Sequence, residues 1–76
     1  MEKEKHEMNI QMWAARDLNG DLFAFENRPK RDYDDSTWKQ SGCYDSVIAL
    51  DNDMLPHLCY DDEPIRINVS LKIDVI

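Results

Sequence analysis

From Ile65 to Val75 the chain alternates without interruption. Ile65, Ile67, Val69, Leu71, Ile73 and Val75 are apolar, and Arg66, Asn68, Ser70, Lys72 and Asp74 between them are polar. A period of two sustained over this length predicts a long strand with one buried and one wet face. Its length gives it a principal position in a sheet, and the one-sided pattern excludes a parallel strand buried on both faces.

A second pattern lies near the start. Met12-Trp13-Ala14-Ala15-Arg16 and Leu22-Phe23-Ala24-Phe25-Glu26 flank Asp17-Leu18-Asn19-Gly20-Asp21, which reads as a β-hairpin. A two-residue Asn19-Gly20 loop would set Ala15 opposite Ala24 and Trp13 opposite Glu26. A three-residue loop instead starts a type I turn at Asp17 and puts Gly20 at the left-handed bulge position. Ala15 then faces Phe23 and Trp13 faces Phe25, so Trp13, Ala15, Phe23 and Phe25 make one aromatic face. Met12, Ala14, Leu22 and Ala24 make a face of smaller residues. The three-residue register is preferred because it gathers the large apolar groups. The core is then expected to pair the apolar face of residues 65–75 with this aromatic face.

The rest of the chain is less regular. Residues 1–9 are polar and read as a flexible N-terminal tail, with order beginning near Ile10 and residues 10–76 forming one small domain. Residues 27–37 read as an irregular connection, because Pro29 argues against a continuing central strand. Trp38 anchors a short strand through Lys39 and Gln40, and Ser41-Gly42 reads as a turn. Val47-Ile48-Ala49-Leu50 is too short for periodicity to separate strand from helical turn. Asp51-Asn52-Asp53 supplies turn and N-cap chemistry ahead of Met54-Leu55-Pro56-His57-Leu58, where one helical turn would lay Leu55 and Leu58 on the core. The expected fold class is all-β, a small antiparallel meander or curved sheet with at most one short helical turn. An α+β fold with one short helix is the alternative.

Charge and composition then narrow the functions. Sixteen acidic against nine basic residues give a formal charge of -7, which opposes attraction to phosphate backbones and anionic membranes. No apolar run approaches membrane-spanning length, and the first residues carry no apolar signal-peptide core, so a cytoplasmic location is expected. Cys43 and Cys59 are expected to be reduced, partly buried thiols. A chain of 76 residues sits near the lower size for a self-sufficient core, so association into a homo-oligomer could add burial.

No cluster reaches a catalytic, cofactor or metal signature. Asp17-x-Asn19-Gly20-Asp21 superficially resembles a calcium loop, but its glycine is fourth rather than sixth and Arg28 stands at the twelfth position. His6, His57, Cys43 and Cys59 follow no structural-zinc spacing. His57 beside Cys59 offers a base and a thiol without a third orienting group. Arg28, Lys30 and Arg31, near Tyr33 and Trp38, form the one basic-aromatic cluster. It could meet nucleic acid, but Asp32, Asp34 and Asp35 beside it oppose that reading and suggest local salt bridging. Arginine, tyrosine and tryptophan are also the residue types that dominate protein interfaces, so these five are the candidate protein-contact residues.

Trp13-Ala14-Ala15-Arg16-Asp17-Leu18-Asn19-Gly20-Asp21-Leu22-Phe23, followed by Glu26-Asn27-Arg28-Pro29, resembles the opening of a group of small uncharacterised proteins encoded by bacteria and their phages. Leu55-Pro56 and Asp62-Glu63-Pro64 are similar to that group's later segments, with Leu55 where a phenylalanine is expected. The resemblance implies a β-rich domain and attaches no activity. The leading expectation is therefore a non-enzymatic cytoplasmic protein that acts through contact with a protein partner. The alternatives are a small enzyme or metal-dependent module completed by oligomerisation, and an acidic competitor of a nucleic-acid-binding protein.

Overall fold

The computed structural model describes residues 4–42 and 45–75, with side chains over 9–42 and 45–70. Six strands follow in order: β1 Glu4–Arg16, β2 Leu22–Phe25, β3 Lys30–Asp32, β4 Thr37–Lys39, β5 Val47–Leu50 and β6 Ile65–Val75. They form an antiparallel four-stranded sheet, β5-β2-β1-β6, and a two-stranded sheet, β3-β4. The fold is all-β and its sheets are open. Among the described residues no helix is long and apolar enough to cross a membrane.

The first hairpin closes through the three-residue loop. Trp13 pairs with Phe25 and Ala15 with Phe23. The Asp17 N–H donates to the Asp21 carbonyl at 2.8 Å and the Gly20 N–H to the Asp17 carbonyl at 3.0 Å. Gly20 has a φ of 103°, a conformation glycine reaches without a Cβ penalty.

Three expectations are corrected. β1 begins at Glu4, where a tail was expected, because residues 4–9 find a strand partner in residues 70–75. The register sets Lys5 opposite Asp74 and Glu7 opposite Lys72, pairs of opposite formal charge. Residues 27–37 are not wholly irregular. β2 does end before Pro29, at Phe25, but beyond the proline β3 pairs with β4, Arg31 facing Trp38. Their turn is closed by Asp32, whose Oδ1 accepts the N–H groups of Asp34 and Asp35 at 3.0 and 3.2 Å, and by Ser36 at a φ of 58°. The segment after β5 holds turns rather than a helical turn. The Met54 N–H donates to the Asp51 carbonyl and the Leu58 N–H to the Leu55 carbonyl, with Leu55 itself at a φ of 51°. Leu55 and Leu58 still reach the core.

The core also differs from the expected pairing. β6 lies beside β1 in the same sheet, with Ile67 opposite Met12 and Ile65 opposite Ala14. Directly opposed residues in antiparallel strands share a face, so the apolar side of β6 joins Met12, Ala14, Leu22 and Ala24. Trp13, on the other face, stands opposite Arg66. The sheet therefore buries both of its faces. Ala14, Leu22 and Leu58, with Leu50, Leu55 and Ile67, form one cluster under residues 51–58. Ala15, Phe25 and Trp38, with Trp13, Phe23 and Tyr60, form the other under the β3-β4 hairpin.

Arg16 and Asp17 tie these layers to the end of β1. The Arg16 guanidinium donates Nε–H to the Leu58 carbonyl at 2.7 Å. Its Nη1 reaches the Gly20 and Asn52 carbonyls, and its Nη2 those of Met54 and Leu55, at 2.7–3.1 Å. Leu58 belongs to one core and Tyr60 to the other, so the chain changes face beside this guanidinium. Asp17 is buried, and its Oδ1 accepts the Trp38 backbone N–H at 2.8 Å, fastening β4 to the first hairpin.

Burial pushes the Asp17 carboxyl above its ordinary value. The Trp38 N–H opposes that rise, the Asp21 charge adds to it, and Lys39 pulls the other way. A raised pKa in the folded chain means that the folded state holds this proton more tightly than the unfolded state. The associated stability is whole below the ordinary aspartate range and is lost as pH rises through the raised value. Asp17→Asn keeps an oxygen for the Trp38 N–H and removes the ionisation. Urea midpoints compared between about pH 4 and 7 are expected to show the variant gaining on the parent as pH rises. Parallel profiles would reject the assignment.

Candidate protein-contact face

The face of the sheet covered by β3-β4 also collects arginines. Because Arg66 stands opposite Trp13, its guanidinium lies 4.9 Å from the centroid of that ring. The Gln11 side chain accepts a hydrogen bond from Arg66 Nη2. Arg28, on the connection after β2, approaches the same ring at 5.2 Å and is bridged to Glu63 at 2.7 Å. Trp13 is thus approached by guanidinium groups from two separate parts of the chain. Each such contact contributes on the order of 0.5–1 kcal/mol at exposed sites.

Arg31 occupies a second arrangement. Its guanidinium is 4.6 Å from the Trp38 ring, 5.4 Å from Tyr60 and 5.6 Å from Tyr33. It donates to the Tyr33 hydroxyl at 3.2 Å and to the Tyr60 and Asp62 carbonyls at 3.1 and 3.0 Å. The Tyr33 hydroxyl, more than any other group, holds Arg31 above its ordinary pKa. Burial raises the Tyr60 phenol, against the pull of the Arg31 charge. The Tyr60 hydroxyl donates to the Asp32 carbonyl at 3.2 Å.

Of the five expected contact residues, Arg31, Tyr33 and Trp38 come together and Arg28 joins Trp13 instead. Tyr33 is 74% exposed at the tip of the hairpin, whereas Trp38 is only 7% exposed. Trp38 is a core group: its ring meets Tyr60 edge-on at 6.3 Å and its Nε1–H donates to the Arg16 carbonyl at 3.1 Å. Lys30 is exposed and faces Lys39 across the hairpin. Among the described residues, the expected bridging of Arg28, Lys30 and Arg31 with Asp32, Asp34 and Asp35 is not found: Arg28 pairs with Glu63, Asp35 with Lys39 at 3.2 Å, and Asp32 is engaged with backbone. Trp13, Tyr60 and Arg66 were not singled out from the sequence as contact residues. Arg66 was visible only as a polar position on the last strand, and its meeting with Trp13 depends on which strand β6 pairs with.

The acidic residues serve turns. Asp45, Asp51 and Asp62 accept the backbone N–H groups of Gly42, Asp53 and Cys59 at 2.8–3.0 Å, as Asp32 does in its own hairpin. Among the described residues no group of three His, Cys, Asp or Glu side chains is arranged to hold a metal ion. Cys59 is exposed rather than partly buried, and its Sγ contacts the His57 carbonyl at 3.8 Å. Cys43 lies outside the described residues, and with it any approach of the two thiols. On the opposite face of the sheet, Leu55, Pro56, His57, Leu58, Asp62 and Ile65 line an open apolar groove of about 410 Å³.

A guanidinium held against an aromatic ring has already lost much of its rotamer freedom, so less is lost when a partner binds it. At Arg28 and Arg66 that arrangement suits recognition, since it leaves oriented N–H donors beside the Trp13 ring, whereas Arg31 spends its Nη groups within the chain and steadies the rings around it. No protein-family model matches this chain, and no curated protein and no solved structure matches it significantly.

Proposed function

We propose that this is a non-enzymatic cytoplasmic protein that acts through contact with another protein, using the face that carries Arg28, Arg31, Tyr33 and Arg66. The observation that carries the reading is Tyr33, three-quarters exposed on a hairpin tip beside an arginine ordered by three aromatic rings. Tyrosine and arginine are over-represented among residues that dominate binding energy. Their concentration on one side of a chain whose net charge is -7 favours a directed contact over general electrostatic attraction.

Tyr33 is the residue to change, because its ring lies outside both cores. Immobilised chain is expected to retain a saturable partner from host lysate, and Tyr33→Ala is expected to weaken that binding by roughly thirtyfold, the size of a hot-spot loss near 2 kcal/mol. Lys30→Ala, beside it on the same hairpin, serves as the variant of small effect. Trp38 is unsuited to the test because the core needs it. Absence of a saturable partner, or one indifferent to Tyr33→Ala, would remove the reading.

A further inference from the structure

β6 ends the four-stranded sheet, so one side of an eleven-residue strand has no hydrogen-bonding neighbour among the described residues. Natural edge strands of this length are usually blunted by a proline, a bulge, a covering segment or charged side chains, and of these β6 carries only charges, of both signs, at Arg66, Lys72 and Asp74. Pro64 precedes β6 and no proline lies within it. Its pairing with β1 runs through eleven consecutive positions without a bulge.

We propose that this edge pairs with the same edge of a second copy of the chain, antiparallel across a two-fold axis at Ser70, joining two four-stranded sheets into one of eight strands. A two-fold contact must be self-complementary, and β6 meets that condition in one register. With the axis at Ser70, Ile65 stands opposite Val75, Ile67 opposite Ile73 and Val69 opposite Leu71, so the apolar face continues across the junction. On the other face Arg66 stands opposite Asp74 of the second copy, once at each end, and Asn68 opposite Lys72.

Neighbouring registers are worse. An axis at Val69 keeps the apolar match but opposes Arg66 to Lys72, and an axis at Lys72 opposes that lysine to its own copy. An axis at Leu71 carries Arg66 beyond the last strand residue of the second copy. Opposed unlike charges stabilise a strand pair and like charges destabilise it, so the Ser70 register combines full overlap with the favourable charge match. Arg66 is already ordered over Trp13, and the guanidinium fork has further N–H donors to offer across the edge.

Light scattering on the full chain is expected to give twice the chain mass. Asp74→Arg sets arginine against arginine at both ends and is expected to weaken association at least about tenfold, with the circular dichroism of the dilute chain unchanged. Adding Arg66→Asp to it is expected to restore association. Because Arg66→Asp also removes a Trp13 contact, a second measurement stands apart from stability. With Cys43 and Cys59 replaced by serine, Ser70→Cys is expected to form a disulfide-linked dimer on oxidation, since opposed Cβ atoms lie about 4.5–5.5 Å apart. Asn68→Cys alone is expected to remain unlinked, and a mixture of Asn68→Cys with Lys72→Cys is expected to link. A chain monomeric at every concentration, or linkage through Asn68→Cys without Ser70→Cys, overturns the proposal. A monomer whose edge takes only strands from other proteins overturns it too.

Discussion

Arg16→Ala is expected to lower folding stability by about 3 kcal/mol and to free residues 51–58 from the sheet. The guanidinium has five N–H donors in a planar fork, and all are used on backbone carbonyls from two loops. Hydrogen bonds from a charged donor contribute roughly 1.5–3 kcal/mol each when the partner is not left to water. Several here are near the surface, so their sum is well below five times that figure. A chain of this size has a total stability on the order of 4–11 kcal/mol, and the change removes a large share of it. With a urea dependence near 1 kcal/mol/M, the midpoint falls by about 3 M.

Arg16→Lys sharpens the test. Lysine keeps the charge but has three donors and no fork, so it is expected to recover less than half of the loss. Hydrogen exchange gives the local signature: the Met54 and Leu58 amides, bonded within the two turns, should exchange faster in both variants before the β1-β2 amides do. If Arg16→Ala unfolds no more easily than Lys30→Ala, the clamp has no energetic weight.

Trp38→Ala is expected to cost about 3–5 kcal/mol. Its ring fills the second core between Ala15 and Phe25, backs the Arg31 guanidinium and donates to the Arg16 carbonyl. Trp38→Phe retains most of the apolar area and orphans that carbonyl, so a smaller loss of about 1–2 kcal/mol is expected. Urea unfolding followed through Trp13 fluorescence separates the two. A Trp38→Ala loss below about 1 kcal/mol would mean that the β3-β4 hairpin is an ornament on a sheet that is stable without it. Both changes act on one end of β1, where two loops and two sheets converge.

Much of the local structure was legible along the chain. Asp17 and Gly20 specified a three-residue turn because one supplies a turn-starting acceptor and the other a left-handed backbone. That turn fixed the register of Trp13 and Ala15 against Phe25 and Phe23. That no central strand continues through Pro29 was legible too, since proline lacks the N–H a central strand needs, and β2 ends ahead of it at Phe25. Of the β3-β4 hairpin only the short strand at Trp38 was legible; β3 and its pairing were not, since the strands are three residues each and their stability comes from Trp38 packing and the Asp17 bond. The candidate face was half legible: Arg28, Arg31 and Tyr33 were, while Trp13, Tyr60 and Arg66 were not singled out as contact residues.

The alternation of residues 65–75 determined by itself that this segment is a strand with unlike faces, because a two-residue period admits no other regular arrangement. It could not determine which neighbour the strand takes, since period reports a residue's own side of the backbone and nothing about the side it meets. The tertiary structure decided that: β6 lies against β1, sends its apolar residues to the face of smaller side chains and lays Arg66 on Trp13. It likewise decided the role of Arg16, whose partner at Leu58 is 42 positions away. A local pattern carries no information about a carbonyl brought in by a later turn of the chain.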